Sequence, residues 1–302
     1  MRFLTSVSLL SAICCAVACD SAEESLPEAP ASPFDGIDHT QLTGLKLVTL
    51  GDSQTALCGW QPWLVDWLGI DWSQQETVEG RDGHAATAQG GIWMKPTETN
   101  CIYLRGLDAI CYDPDIIIIY GGQNDYYYRW LSKSNPYFYQ ADIAESNLDE
   151  AMLYETPYRG DSVNASISTV SAFRGLIEYL LEQRPATRLM LMTHVPIRCE
   201  IGMNATADFA AQNYPTPRFA SQQDVIDYEM RERYPKDQLI RTMGRYYGLT
   251  VIDQWQYSGI TFDNAAQYYG DVTGDCTQVH LNTQGDSLLA VCIGKYLTGL
   301  LP

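Results

Sequence analysis

The chain has 302 residues, of which 46% are apolar, enough to bury the core of one large domain or two small ones. This content excludes wholesale disorder, and the longest apolar run, residues 3–18, is too short for a transmembrane bundle. The formal net charge of −18 repels phosphate backbones and anionic lipids, and the sequence contains no basic cluster, so we expect no nucleic-acid partner.

The N-terminus has the pattern of a secretory signal peptide over residues 1–18. Arg2 supplies the positive charge, and Ala16-Val17-Ala18 supplies the small residues of a cleavage site. Cys19 then begins the mature chain and resembles the acylated cysteine of bacterial lipoproteins, although Ala16 stands where such signals usually have Leu. We expect an exported protein that Cys19 anchors to the cell envelope, in the periplasm or on the surface. The alternatives are ordinary cleavage, which yields a secreted chain, and retention of the signal as an anchor.

Residues 19–43 are predicted to form a tether between this anchor and a folded body. Pro27, Pro30 and Pro33 stand among small and acidic residues, a composition that does not form a packed core. The folded domain is therefore expected over residues 44–302.

Short apolar runs alternate with helix-like stretches through this domain. The predicted strands are Leu45–Leu50, a weaker Glu76–Glu79, Asp115–Tyr120, Arg188–Thr193 and Leu249–Ile252. The predicted helices are Trp63–Leu68, Ile102–Ile110, Val170–Arg184, Asp224–Tyr247 with a break at Pro235, and Gln284–Leu297. Continuous β-branched runs indicate strands buried on both faces. The pattern predicts a three-layer α/β/α sandwich around a five-stranded parallel sheet, with its site beyond the carboxyl ends of the strands.

Two connections, residues 126–163 and 198–223, are longer than such a domain requires. Long loops in compact domains are usually functional or disordered. The first is rich in aromatic rings, which argues against disorder. These rings either stack on sugars or pack a lid.

The strand Leu45–Leu50 runs directly into Gly51-Asp52-Ser53. A serine at a turn from a buried strand to a helix exposes its hydroxyl, and its own N–H lies beside that oxygen. We therefore interpret Ser53 as a nucleophile that also supplies one donor of an oxyanion hole. The alternative is a serine that only caps a helix.

Three further segments carry candidate site residues at the ends of predicted strands or before a predicted helix. Gly122-Gln123-Asn124-Asp125 follows the isoleucine-rich strand, Gly80-Arg81-Asp82-Gly83 follows the weak strand, and His280 precedes the last helix. Together with Gly51-Asp52-Ser53, these segments resemble the four blocks of the SGNH (GDSL-type) hydrolase family, in the family's order and over residues 45–297.

The resemblance implies a flavodoxin-like fold and a set of site residues. It makes Ser53 the nucleophile and His280 its base, and the oxyanion donors become the N–H groups of Ser53 and Gly83 and the amide of Asn124. Gly90 and Gly91 are alternatives to Gly83. This chemistry needs no metal and no organic cofactor.

The sequence departs from the family pattern at the acid of the triad. Thr277 stands where the family has Asp, three residues before His280, while Asp275 and Asp271 lie further away. We interpret Asp275 as the acid; the alternative is a Ser–His dyad whose imidazole is oriented by a backbone carbonyl. In a well-studied protease, loss of the orienting carboxylate costs up to about 10⁴-fold in kcat.

A second Gly-Asp-Ser string, at residues 285–287, is predicted to lie in the first turn of the last helix and not to be the nucleophile. Leu288, Leu289 and Val291 have helical spacing there, and Asp286 favours the positive end of the helix. The other histidines lack metal-ligand spacing, and we interpret His84 and His194 as structural residues near the pocket.

Six cysteines lie in the predicted domain, in a compartment where disulfides persist. They are Cys58, Cys101, Cys111, Cys199, Cys276 and Cys292. They allow three disulfides, or several are buried thiols, and none has the spacing of a zinc site.

The sequence therefore predicts an exported serine esterase that acts on a small-molecule or glycan ester, with O-acetyl or O-acyl groups on carbohydrate preferred. The tyrosine-rich loop and the envelope location favour sugars, and the lipid anchor would be the only membrane contact. The alternatives are a weak or inactive carbohydrate-binding lipoprotein on the same fold, and a lipase or thioesterase of the same family.

Overall fold

The computed structural model describes residues 31–72, 88, 93–125, 130–137, 145–196, 221–270 and 280–302. The chain divides into two units, Met1–Ser32 and Pro33–Pro302. The predicted signal peptide, Cys19 and most of the predicted tether lie outside the described residues.

The second unit begins at Pro33 and not near residue 44. Phe34 explains the earlier start, because its ring is buried and packs on Trp67 at a centroid distance of 6.1 Å. A Cβ added to Gly294 would clash with the same ring, so the aromatic side chain fits closely against the last helix. Composition alone does not indicate that Phe34 is part of the core, because its neighbours are prolines and acidic residues.

Four strands form one parallel sheet in the order β1-β2-β3-β4. They are β1 (Leu47–Gly51), β2 (Ile116–Tyr120), β3 (Arg188–Met192) and β4 (Thr250–Ile252). These four confirm four of the five predicted strands, while the fifth, at residues 76–79, lies outside the described residues. Lys46 and Gly51 form isolated parallel bridges to Asp71 and Ala88, and so mark the flank of β1 where a fifth strand would pair.

The predicted helices are present between the strands, together with further helices that the sequence did not predict. They are α1 (Ser53–Ala56), α2 (Gln61–Leu68), α3 (Ile102–Asp108), α4 (Glu145–Tyr154), α5 (Thr169–Gln183), α6 (Gln222–Glu232), α7 (Tyr234–Tyr247), α8 (Gln254–Tyr257), α9 (Ala265–Tyr268) and α10 (Thr283–Leu297). The break between α6 and α7 lies beside Pro235, which occupies the first turn of α7, where a missing N–H costs nothing. Within the described ranges, no helix is long and apolar enough to cross a bilayer.

Alternate residues of each strand face opposite layers, which gives the three-layer sandwich. On β2, Ile117 and Ile119 join a cluster with residues of α3, α5 and α7. Ile116 and Ile118 join a second cluster with residues of α2 and α10. Burial of both faces explains why the strand reads as an uninterrupted isoleucine run.

The helix α4 was not predicted from the sequence. It lies within the long connection at 126–163, and its apolar residues do not keep to one face. Ala151 and Met152 are buried, whereas Leu153 and Tyr154 are exposed. Trp130 and Tyr137 of the same connection are also buried, so these two rings pack the domain. Tyr126–Tyr128, Phe138 and Tyr139 lie outside the described residues.

The cysteines do not form the three disulfides that their number allows. Cys58, Cys101, Cys111 and Cys292 are thiols, and Cys101 Sγ accepts a hydrogen bond from Leu104 N at 3.4 Å at the start of α3. Cys199 and Cys276 lie outside the described residues. Cys101 and Cys292 are buried thiols, as the alternative interpretation proposed, whereas Cys58 is half-buried and Cys111 is exposed.

Candidate active site

Ser53 lies at the carboxyl edge of the sheet, two residues after the end of β1. It is half-buried and is the first residue of α1. The cap of that helix is Asp52, whose Oδ1 accepts a hydrogen bond from Gln54 N at 3.1 Å. Ser53 is therefore not the capping residue.

Gly51 allows this turn to pack closely. A Cβ at this position would overlap Thr55 Oγ1 and the backbone oxygen of Tyr120, the last residue of β2. Gly51 and Tyr120 are also paired in the register of the sheet. The turn that carries Ser53 thus lies against the carboxyl end of β2.

Asp52 is a buried carboxyl group with an unusual pKa. Burial raises its pKa to about 7, and the negative charge of Asp125 acts in the same direction. The hydrogen bond from Gln54 N and the cations of Arg233 and Lys236 act in the opposite direction, and burial prevails. Because the charge of Asp125 acts on Asp52, the Ser53 turn lies near the turn that follows β2.

The turn after β2 carries Asn124, which is half-buried. Gly122 has a φ of +93°, and a Cβ there would lie 3.0 Å from ring atoms of Phe173 and Trp130. Only glycine fits this conformation and this space. Asp125 N donates to Gly122 O at 3.1 Å and closes the turn around Asn124.

Asp125 fixes this turn to its surroundings. Its Oδ2 accepts from Met94 N at 2.7 Å, and its Oδ1 accepts from Thr169 Oγ1 at 2.5 Å. Its backbone oxygen accepts from Trp130 Nε1 at 3.1 Å. Burial raises the pKa of Asp125, so these donors compensate a group that is fully removed from solvent.

His280 is buried and lies just before α10. Its backbone oxygen accepts from Gly270 N at 3.4 Å, and the next residue, Leu281, forms an antiparallel bridge with Tyr269. Asn282 then caps α10 by accepting from backbone N–H groups of its first turn. The backbone of His280 and of the two residues that follow it is therefore held in place.

Two contacts bring this segment to the same edge of the sheet. Tyr269 Oη donates to Pro196 O at 2.9 Å, just beyond the end of β3. In the first turn of α10, the Asp286 carboxyl group lies where a Cβ on Gly59 would stand, shortly after α1. Ser53, Asn124 and His280 thus belong to turns that share one end of the sheet.

Several predicted site residues lie outside the described residues. They are Gly83, its alternatives Gly90 and Gly91, His84, Asp271, Asp275 and Thr277. Ala88, shortly after Gly83, forms a parallel bridge with Gly51. The roles of Gly83 and Asp275 remain predictions.

The second Gly-Asp-Ser string lies in the first turn of α10, as predicted. Ser287 Oγ donates to Gln284 O at 2.8 Å within the helix. Burial raises the pKa of Asp286 to about 7, so removal from water outweighs the favourable position near the helix N-terminus.

His194 forms a buried pair that the sequence did not indicate. Its Nδ1 lies 2.8 Å from Asp237 Oδ1, which also accepts from His194 N at 2.9 Å. The imidazole packs on Tyr120 at a centroid distance of 5.5 Å, and burial lowers the pKa of His194. The pair joins the end of β3 to α7, which fits the structural role expected of His194.

Three half-buried rings form an aromatic surface at the end of β4. Tyr234 lies 5.3 Å from Trp255, and Trp255 lies 5.8 Å from Phe262, between ring centroids. Trp255 N donates to Thr193 Oγ1 at 3.2 Å, which ties this surface to the end of β3. Local sequence pattern did not reveal it, because its members come from three separate segments.

Among the residues that the structure describes, no group of three or more histidine, cysteine or acidic side chains could hold a metal ion. That no cofactor takes part in the reaction stays a prediction.

The parallel sandwich, with Gly-Asp-Ser after β1 and Gly-x-Asn-Asp after β2, defines the class of SGNH-fold proteins. The sequence model of the GDSL-like lipase/acylhydrolase family matches residues 49–288. The chain belongs to this family.

Three solved structures align with this chain over nearly all of their own lengths. A Lactobacillus plantarum protein shares 18% identity over 86% of this chain and 99% of its own, with a TM-score of 0.47. A possible lipase from Chitinophaga pinensis shares 12% identity over 85% and 98%, also with a TM-score of 0.47. A family 3 carbohydrate esterase from Clostridium thermocellum shares 14% identity over 86% and 100%, with a TM-score of 0.39. The curated proteins contain no match to this chain.

Proposed function

We propose that this chain is a serine hydrolase that cleaves carboxylic esters. The observation that carries the proposal is the joining of the Ser53 turn to the Asn124 turn at one edge of the sheet. Gly51 packs against the end of β2, and the buried carboxyl group of Asp52 lies near enough to Asp125 for that charge to help raise its pKa. A nucleophile and an amide donor on adjacent turns are what acyl transfer requires.

The reaction starts when His280 removes the proton from Ser53 Oγ as that oxygen attacks the acyl carbon. The carbonyl oxygen becomes an oxyanion, and the N–H groups of Ser53 and Gly83 and the Asn124 amide donate to it. His280 then returns the proton to the leaving alcohol oxygen. Water attacks the acyl-enzyme with His280 again as the base, which releases the acid and restores Ser53.

The imidazole of His280 must be oriented for this proton transfer. We assign this role to Asp275, with a Ser–His dyad as the alternative. From His280 onward the backbone is held by Gly270, by the bridge of Leu281 to Tyr269 and by the start of α10, which already limits the positions of the ring.

The proposed substrate is an O-acetyl or O-acyl ester of a carbohydrate. The aromatic surface of Tyr234, Trp255 and Phe262 supports this choice, because flat rings bind the apolar faces of sugars. It lies beyond the end of β4, at the same edge as Ser53. Export of the chain and acylation of Cys19 would bring such an enzyme to the glycans of the cell envelope.

The first test is hydrolysis of p-nitrophenyl acetate by the chain from Cys19 onward, which keeps the buried Phe34. We expect turnover that Ser53→Ala abolishes, and Asp275→Ala should lower kcat by up to about 10⁴-fold if Asp275 orients His280. Turnover unchanged in Asp275→Ala would favour the dyad. No turnover above the Ser53→Ala blank, with glycan binding retained in that variant, would favour the inactive carbohydrate-binding alternative.

The substrate class has a separate test in Trp255→Ala. We expect KM for an acetylated oligosaccharide to rise about 10-fold, as expected for loss of roughly 1.4 kcal/mol of ring contact, with KM for p-nitrophenyl acetate unchanged. Tyr246→Ala is the control, because this exposed ring lies near the far end of α7, about 18 Å along the helix from Tyr234. Equal effects on both substrates, or preference for long-chain p-nitrophenyl esters, would contradict a carbohydrate substrate.

Lipid anchoring has its own measurement. In a bacterial host, the full chain should take up labelled fatty acid and partition with membranes, and Cys19→Ser should release it. Uptake of label by the Cys19→Ser variant would contradict acylation at this residue.

A further inference from the structure

Two cations at the start of α7 contact the turn that carries Asn124. Arg233 Nη2 donates to Gln123 Oε1 at 2.9 Å, and Lys236 Nζ donates to Gln123 O at 2.9 Å. Gln123 is the variable residue of the Gly-x-Asn-Asp segment and directly precedes Asn124. The start of α7 therefore holds this turn through two side-chain hydrogen bonds.

Lys236 is only 7% exposed, so its ammonium group is held inside the domain. A buried ammonium group is costly unless it is paired and hydrogen-bonded. The carboxyl groups of Asp52 and Asp125 lie close enough for its charge to favour their ionised forms. Lys236 thus interacts with both site turns and donates directly to one of them.

The contact with Gln123 O constrains Asn124 through the peptide bond. Gln123 O and Asn124 N belong to one planar unit, so fixing the oxygen fixes the plane from which the Asn124 side chain departs. On the other side of Asn124, Asp125 is fixed by Met94 and Thr169. The residue is thereby held at both of its flanking peptide groups.

We propose that Lys236 and Arg233 are positioning residues that set the Asn124 amide toward the oxyanion, so that α7 takes part in the reaction through the Gln123 turn. The proposal rests on the esterase function proposed above. Neither cation touches the substrate. Both act on kcat, because an oxyanion donor contributes most when charge develops in the transition state.

The test is a double-mutant cycle between Lys236→Met and Asn124→Ala. Lys236→Met removes the ammonium donor and keeps an unbranched side chain that is one atom shorter. We expect it to lower kcat about 10-fold with KM changed less than about 3-fold, as expected for a displaced oxyanion donor. In the Asn124→Ala background the same substitution should change kcat by less than about 2-fold, because the amide that it positions is gone.

Gln123→Ala is the second variant, for the case in which loss of the buried ammonium prevents folding. It removes only the acceptor of Arg233 from a half-buried side chain, and we expect a smaller fall of about 3-fold in kcat that also disappears without the Asn124 amide. Arg188→Met is the control, because Arg188 Nη2 likewise donates to a backbone oxygen, that of Tyr296 at 3.2 Å, but Arg188 is the first residue of β3 and so lies at the opposite edge of the sheet.

The outcomes separate this proposal from the function on which it rests. Effects on kcat that vanish in the Asn124→Ala background, with Arg188→Met near wild type, support the positioning role. Effects that persist there, or a thermal destabilisation without any change in kcat of the folded enzyme, overturn it and leave a structural ion network. Absence of any Ser53-dependent turnover in the wild type overturns both proposals.

Discussion

The chain contains the same tripeptide, Gly-Asp-Ser, at residues 51–53 and 285–287, and the two copies have much in common. Both glycines lie where a Cβ would clash with neighbouring atoms. Burial raises the pKa of Asp52 and of Asp286 to about 7. Ser53 and Ser287 are both half-buried.

The two copies differ in the elements that carry them. Asp52 caps a helix and Ser53 begins it, directly after a strand of the parallel sheet. Ser287 lies inside the first turn of α10, and its hydroxyl group donates back to Gln284 O. The two serines are similarly exposed and the two aspartates have similar pKa values, so neither property identifies the nucleophile. Ser53 alone follows a strand of the buried sheet, at the edge where a substrate is expected to bind.

The largest expected difference between the copies is in turnover. Ser53→Ala should lower kcat by about 10⁴-fold or more, because the nucleophile is lost. Ser287→Ala should leave kcat within about 2-fold, since it removes only one hydrogen bond within a helix. Parallel assays with p-nitrophenyl acetate measure both, and a comparable loss in the two variants would remove the distinction.

The next effect concerns the partner turn, which only the first copy has. Asn124→Ala should lower kcat by about 10²–10³-fold with little change in KM, as for other oxyanion donors. Steady-state kinetics at saturating substrate measure this change. A rise in KM at unchanged kcat would assign Asn124 to substrate binding instead.

The glycines should behave alike, which tests the similarity of the copies. Gly51→Ala would clash with Thr55 and with Tyr120 O, and Gly285→Ala would bring a Cβ to 2.5 Å from Tyr268 O. We expect each substitution to lower the free energy of unfolding by about 2–4 kcal/mol, since backbone neighbours must move. Urea denaturation of both variants checks this, and a neutral result at Gly285 would mean that α10 shifts freely against α9.

The smallest expected effect is the pH dependence of stability at Asp286. Its pKa is about 7 in the folded chain and near 3.8 when unfolded, so the native state binds more protons between these values. Stability should therefore fall as pH rises from about 4 to about 7. Asp286→Asn removes the cost of burying a charge, so we expect it to be about 1–3 kcal/mol more stable than wild type at pH 8.

Thermal unfolding of wild type and Asp286→Asn at pH 4 and pH 8 measures this dependence. A variant that is less stable than wild type at pH 8 would mean that the positive end of α10 outweighs burial. The favourable interaction of the Asp286 charge with the helix N-terminus would then contribute more to stability than burial of that charge costs.

The sequence predicted the features that local pattern determines. Continuous β-branched runs identified β2, Pro235 marked the break between α6 and α7, and helical spacing after His280 assigned Ser287 to a helix. Each of these signals lies within a few residues of the feature that it predicts.

The features that the sequence did not predict depend on contacts between distant residues. Arg233 is 110 residues from Gln123, and Lys236 is 113 residues from it, so no local pattern connects them. His194 and Asp237 pair only because β3 and α7 pack together. Such pairs follow from the fold and not from any segment of the sequence.

The most direct test of the central claim is to find which serine reacts. The mature chain would be treated with a serine-directed fluorophosphonate and digested, and the labelled peptide would be identified by mass spectrometry. We predict a single adduct on Ser53, absent from Ser53→Ala and retained in Ser287→Ala. A label on Ser287, or no label on a folded wild-type chain, would contradict the assignment of Ser53 as the nucleophile.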